Sequence, residues 1–338
     1  MRRVHSPSGD LALTDDLVIV ADNLPVLAAL RRRAFDLIYM DPPFNTGRSQ
    51  SRATISVARD DAGPRVGFGG RRYRSTLLES LSYDDRFGDY LAFLEPRVRA
   101  ARELLAAHGT LYFHIDYREA HYCKLLLDEI FGREAFLNEI VWAYDYGAKP
   151  RRRWPAKHDD ILFYARDPER YFFDVEAVDR IPYMAPGLVG PEKAARGKLP
   201  TDTWWHTIVS PTGKEKLGYP TQKPLGILRR IVGASCPPGG VVLDFFAGSG
   251  TTGAAARELG RRFLLVDSSA EAMAVMRRRF ADMADVALFE LAEPGELHDA
   301  RGGEASLEVR AQIARVLEPD READEAIADP QSPARLGR

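Results

Sequence analysis

The fold of this chain is most restricted by short apolar runs that each close on an acidic residue, separated by stretches of helical spacing. Leu17-Val18-Ile19-Val20-Ala21 closes on Asp22, and Phe35-Asp36-Leu37-Ile38-Tyr39-Met40 closes on Asp41. Val241-Val242-Leu243 closes on Asp244, and Phe263-Leu264-Leu265-Val266 on Asp267. Runs of this length, rich in Val, Ile, Leu and aromatics, read as strands buried on both faces. Further strands are expected at 111–115, 140–144 and 161–164, with helices at about 25–33, 85–107, 119–131, 225–234 and 270–283. The alternation predicts an α/β fold with a doubly wound, mostly parallel sheet. The 338 residues suffice for one large α/β domain and a smaller one. The stretch 45–83, rich in Gly, Ser and Arg, shows no sustained period and reads as a long loop.

Open α/β sheets bind ligands at the carboxyl ends of their strands. At one such end stands Asp41-Pro42-Pro43-Phe44. The two prolines exclude helix and donate nothing from their backbone nitrogens. The corner is therefore stiff, and it offers a carboxylate, backbone carbonyls and a ring. A planar group bearing an exocyclic amine, such as a nucleobase, suits it.

A second constellation runs from Asp244 through Phe245, Phe246, Ala247, Gly248, Ser249, Gly250, Thr251 and Thr252 to Gly253, between a strand and a helix. Glycine lets the backbone turn sharply and approach a ligand. Asp267, about 20 residues on, is placed to accept bonds from ribose hydroxyls. The spacing of Gly248, Gly250 and Gly253 also fits a dinucleotide turn, so a nicotinamide-dependent oxidoreductase is a rival reading. A phosphate-binding P-loop is disfavoured, because no lysine follows the glycines.

Together with Tyr219-Pro220-Thr221-Gln222-Lys223-Pro224-Leu225, these segments give the chain a resemblance to the amino-methylating DNA methyltransferases (N6-adenine or N4-cytosine) over roughly residues 17–280. The order, with the Asp-Pro-Pro-Phe corner first and the Gly-rich loop last, resembles the β class. The resemblance implies a Rossmann-like methyltransferase fold in permuted order, with S-adenosylmethionine as cofactor. It divides the chain into a catalytic half at 11–146, a target-recognition region at 147–218, a cofactor-binding half at 219–292 and a charged tail at 293–338. Asp41, Pro42, Pro43 and Phe44 become the catalytic corner. Asp22, Asp41, Thr221, Lys223, residues Asp244 to Thr252 and Asp267 become the cofactor contacts. The implied reaction methylates the amino group of a flipped base, N6 of adenine favoured over N4 of cytosine. A DNA-binding module with a vestigial site is a further alternative.

Net charge is −2, so the sum does not advertise nucleic-acid binding, but arginines cluster at 48–74 and 151–153. Arg48, Arg71, Arg72, Arg74, Arg151, Arg152, Arg153 and Trp154 are the expected contacts with double-stranded DNA. A solvated surface is the competing account of these charges. The resemblance names a homodimer and a cognate restriction endonuclease as further candidate partners. His114 reads as structural, and no His/Cys cluster calls for a metal. The two cysteines, Cys123 and Cys236, lack metal or disulfide spacing, and the start of the chain lacks the apolar core of a signal peptide. A cytoplasmic protein with no membrane segment is expected. A helix at about 306–317 followed by a disordered end is expected beyond Glu293.

Overall fold

The computed structural model describes residues 16–30, 32–45, 48–59, 65–66, 72–85, 89–146, 150–210, 212–283, 286–293, 296–299 and 303–304. In chain order the elements are β1 (Asp16–Val20), α1 (Asn23–Ala29), β2 (Phe35–Met40), β3 (Arg48–Arg59), β4 (Arg65–Val66), β5 (Arg72–Asp85), α2 (Tyr90–Leu104), β6 (Leu105–Asp116) and α3 (Ala120–Phe131). There follow β7 (Phe136–Ala143), β8 (His158–Ala165), α4 (Pro191–Arg196), β9 (Thr203–Trp205), α5 (Leu225–Ser235), β10 (Val241–Asp244), α6 (Thr251–Glu258), β11 (Arg262–Asp267), α7 (Ala270–Arg279), β12 (Val286–Glu293), β13 (Glu296–Asp299) and β14 (Gly303–Glu304).

One sheet runs in the order β14-β13-β12-β1-β11-β10-β2-β6-β8-β7-β9. From β12 to β6 every neighbour is parallel. β8 runs against β6 and β7, so β7 and β9 point the same way as β6. The chain leaves β10 outward to β11, and leaves β2 in the opposite direction to β6. The switch point of the sheet therefore lies between β10 and β2, where Asp244 pairs in register with Tyr39. The carboxylates that close the runs now share one edge: Asp22, Asp41, Asp116, Asp244 and Asp267.

The strands hold because their residues need no solvated face: Leu37, Ile38, Val242, Leu243, Leu265 and Val266 are all fully buried. α5 covers one face of the sheet with Ile227, Leu228, Ile231 and Val232, which repeat at helical spacing. Tyr39, Tyr112 and Phe163 lie in that same core, the last two stacked at 4.3 Å. Cys123 and Cys236 are buried free thiols.

Contacts divide the chain into two units, Pro43–Leu94 and the remainder, with the boundary inside α2. The smaller unit contains the three-stranded sheet β3-β5-β4, with β3 and β5 antiparallel along their whole length. A structureless loop at 45–83 was expected, and an extended hairpin is found there. Ala53, Ile55 and Val57 alternate with Thr54 and Ser56, a strand signal too short to stand out from the Arg-, Ser- and Gly-rich residues around it. Strands β8 and β9, from the region 147–218, extend the large sheet. The expected helix at 85–107 starts at Tyr90 and yields to β6 after Leu104. β12 was not anticipated. The helix and disordered end expected at 306–338 lie outside the described residues. Among the described residues no helix is long and apolar enough to cross a membrane.

Candidate active site

Asp41 follows the last residue of β2, and the buried strand behind it fixes where its carboxylate stands. Its Oδ2 accepts a bond from Lys223 Nζ at 2.5 Å, in a pair whose side chains are 14% and 12% exposed. Its Oδ1 is buried and has no hydrogen-bond partner among the described residues. A buried carboxylate oxygen left bare is costly unless a ligand satisfies it. Lys223 is delivered by a pinned turn just ahead of α5. The Gln222 amide accepts from Leu217 N and donates to the Glu215 carbonyl, while Glu215 Oε1 accepts from Leu225 N. The structure thus brings Lys223 to Asp41, whereas Thr221 of the same motif is exposed.

The Gly-rich turn stands at the end of β10. Asp244 is fully enclosed; its Oδ1 accepts from Phe246 N at 3.0 Å and its Oδ2 from the Thr252 hydroxyl at 2.6 Å. Burial pushes its pKa up to about 7, against the pull of those two bonds. Gly248 and Gly250 adopt φ of 51° and 72°. A Cβ on Gly248 would lie 2.9 Å from the Tyr219 ring, so the backbone here is pressed under an aromatic side chain. Asp267 accepts from Gly248 N and Ser269 N, and burial holds its carboxyl above the usual range in spite of both bonds. Phe245, Ala247, Ser249, Thr251 and Thr252 are buried. Their side chains build the loop, while Phe246 and Gly248 are its more accessible members.

Asp22 caps α1, accepting from Leu24 N at 2.9 Å, and stands 3.7 Å from Arg97. Its neighbour Asn23 ties the site together and was not anticipated. Asn23 donates to the Phe245 carbonyl at 2.8 Å and accepts from Arg97 Nε at 2.7 Å. Arg97 had a sequence signal that went unused: it interrupts the apolar stripe of α2 between Leu94 and Val98, and it is buried with them. Arg279 was also missed. It donates to the Ser249 carbonyl at 2.6 Å, and burial lowers its pKa to about 10.

Behind Asp41, His114 is wholly buried in a chain of polar groups. Its Nδ1 lies 2.6 Å from the Tyr39 hydroxyl, and its Nε2 lies 3.3 Å from Asp159 Oδ2. Asp159 Oδ1 accepts from the Tyr144 hydroxyl at 3.1 Å. Three strands, β2, β6 and β8, thus contribute one connected line.

In the smaller unit, the Tyr90 hydroxyl donates to the Pro43 carbonyl at 2.5 Å. Arg48 lies in β3, Arg72 and Arg74 are exposed on β5, and Arg71 lies outside the described residues. In the larger unit Arg151, Arg152 and Arg153 are exposed, and Trp154 is 94% exposed.

A family model described as DNA methylase matches residues 35–278. Type II methyltransferase M.HpaI of Haemophilus parainfluenzae is 27% identical over 265 residues, covering 78% of this chain and 74% of the relative. DNA adenine methyltransferase YhdJ of Escherichia coli K12 is 27% identical over 289 residues, covering 82% and 86%. Two solved structures share the fold. The cytosine-N4-specific PvuII DNA methyltransferase superposes with a TM-score of 0.55 at 14% identity, covering 90% of this chain and 93% of its own. TTHA0409 of Thermus thermophilus, a DNA modification methylase complexed with S-adenosyl-L-methionine, gives 0.51 at 20% identity, covering 82% and 99%.

Proposed function

The chain belongs to the DNA methylase family, and on that premise we propose that it methylates the exocyclic amino group of a flipped base in double-stranded DNA, N6 of adenine in preference to N4 of cytosine. The observation that carries this reading is the bare, buried Oδ1 of Asp41 at the switch point of the sheet, beside the Gly-rich turn. An amino nitrogen conjugated to a base ring is a poor nucleophile. Asp41 Oδ1 and the Pro42 carbonyl would each accept one of its N–H groups and favour a pyramidal nitrogen. Positioning then supplies most of the acceleration. The released proton leaves through Asp41 or water. Phe44 is assigned to stack on the base, whose extrusion costs about a few kcal/mol.

The residues present fit S-adenosylmethionine. The Gly248 backbone is partly accessible and is barred by the Tyr219 ring from carrying a side chain, so a ligand can approach the main chain there. Asp244, Phe246, Gly248 and Gly250 would line the methionine end, and Asp267 the ribose, with Asp22 beyond it. When bound, the cofactor supplies a methyl group on an electrophilic sulfonium sulfur. Lys223 would pair with the methionine carboxylate while countering Asp41.

The Asp244 carboxyl makes this reading sensitive to pH. With a folded pKa of about 7 against 3.8 ordinarily, its neutral form favours folding. That stabilising contribution is present below the ordinary value and is lost as pH rises through about 7. An ammonium beside Asp244 reverses the preference. Titration calorimetry should therefore find S-adenosylhomocysteine binding more tightly from about pH 6 to about pH 8, and Asp244→Asn should flatten the rise. Affinity independent of pH in the wild type would remove Asp244 from the ammonium site.

Adenine is favoured by the aspartate that opens the corner and by the relative named as an adenine methyltransferase. The names of the type II relatives favour a cognate restriction endonuclease. Target recognition is assigned to 147–218, with Arg151, Arg152, Arg153 and Trp154, and phosphate contacts to Arg48, Arg71, Arg72 and Arg74. A homodimer and a cytoplasmic location complete the reading. Genomic DNA treated with the enzyme and sequenced as single molecules should carry N6-methyladenine in one sequence context. N4-methylcytosine there instead would overturn the choice of base.

A further inference from the structure

We propose that Tyr39 and His114 are positioning residues for Asp41: the tyrosine hydroxyl keeps His114 Nδ1 an acceptor, and so keeps Asp41 Oδ1 open for the target amine. This rests on the reading of Asp41 given above. The Tyr39 hydroxyl has one hydrogen-bond partner among the described residues, His114 Nδ1 at 2.6 Å. Enclosure of the ring raises the Tyr39 pKa well above its ordinary value, with Asp41, Asp244 and Asp159 adding to the rise, so the hydroxyl keeps its proton. That proton needs an acceptor, and Nδ1 must supply the lone pair. The imidazole hydrogen then sits on Nε2, where Asp159 Oδ2 accepts it at 3.3 Å. Burial works against the Asp159 carboxylate, yet the His114 bond, Lys223 and the Tyr144 hydroxyl hold its pKa below the ordinary range. Both ends of the imidazole are thereby fixed in one tautomer.

The consequence falls on Asp41. Its Oδ1 stands 3.7 Å from Nδ1, beyond hydrogen-bond distance but within reach of a small adjustment. Were Nδ1 to carry a hydrogen and turn it from the Tyr39 oxygen toward Asp41 Oδ1, that bond would compete with the N–H of the target base. The groups that bear on the imidazole come from every packed element: Tyr39 and Asp41 from β2, Asp159 from β8, Trp142 and Tyr144 from β7 and the residue after it, and Lys223 across Asp41. Removing only the Tyr39 hydroxyl removes the donor that keeps Nδ1 an acceptor, so the ring hydrogen can pass to Nδ1 and engage Asp41 Oδ1.

Tyr39→Phe tests this with the smallest change available. At neutral pH kcat should fall about tenfold or more, while KM for cofactor and DNA stays within about twofold. Nitrogen-15 NMR of histidine-labelled wild-type protein, with the His114 signal assigned by its absence in His114→Gln, should place a single proton on Nε2. In Tyr39→Phe a share of the protein should carry it on Nδ1 instead. A wild-type His114 protonated at Nδ1 overturns the proposal whatever Tyr39→Phe does. So does a Tyr39→Phe enzyme with the wild-type kcat. Turnover retained in Asp41→Ala would sink the amine-holding role itself and leave the NMR result standing, so the two failures are distinguishable.

Discussion

Asp41→Ala will lower methyl transfer by a factor on the order of 10³ or more, while S-adenosylhomocysteine still binds within about threefold of wild type. The split follows from where the two oxygens of Asp41 point. Oδ1 faces the place assigned to the target amine, so its loss removes a contact that strengthens as the nitrogen pyramidalises. Oδ2 serves Lys223 alone among the described residues, and the role proposed for Lys223 at the cofactor carboxylate does not need Asp41. The alanine variant takes from the Lys223 ammonium the carboxylate it bonds, which costs about 1–3 kcal/mol of stability. Asp41→Asn, which preserves volume and removes only the charge, separates the two effects. Radiolabelled methyl transfer to DNA, read beside calorimetric binding of the product cofactor, is the measurement. Substantial turnover in both variants would end the assignment of Asp41 as the amine acceptor.

What could be read from the sequence, and what could not, divides along a physical line. The parallel sheet was legible because strands buried on both faces read as apolar runs, as Leu37 to Met40 of β2 and Val241 to Leu243 of β10 do. Asp41, Asp244 and Asp267 were legible because a carboxylate that ends such a strand lands at the carboxyl edge whatever the rest of the chain does. The glycines at 248 and 250 declared themselves through backbone conformations that side chains rarely adopt. The pairing of Lys223 with Asp41 spans most of the chain, and only the path of the turn ahead of α5 creates it. The same holds for Tyr39, His114 and Asp159. Each lies inside or beside a strand that reads simply as core, and their alignment is a product of the register between β2, β6 and β8. The hairpin β3–β5 was hidden for a different reason. Its alternation of apolar and polar residues in β3 is confined to 53–57, too short a run to separate it from the Arg-, Ser- and Gly-rich loop it sits in.

Arg97→Met will cost about 2–4 kcal/mol of stability and weaken S-adenosylhomocysteine binding about tenfold or more, although Arg97 is assigned no contact with the cofactor. The effect runs through Asn23. A buried amide with a donor and an acceptor to satisfy is held at both ends, by the Phe245 carbonyl at 2.8 Å and by Arg97 Nε at 2.7 Å. Methionine fills the volume of the arginine stem but donates nothing, so the Asn23 oxygen is left buried and unbonded. Asn23 can then turn to find another donor, and in turning it releases Phe245, the residue on which the Gly-rich loop leaves β10. Asp22 loses its nearest cation at the same time. Arg32→Met supplies the control, since its pair with Glu103 at 3.5 Å is solvent-exposed on both sides and should cost no more than about 0.5 kcal/mol. Urea denaturation and calorimetric titration of the two variants decide the matter. Equal midpoints for Arg97→Met and Arg32→Met would mean that the buried cation is a bystander. A stability loss with unchanged affinity would mean that the loop after β10 is held by Thr252, Asp244 and Arg279 without help from Asn23.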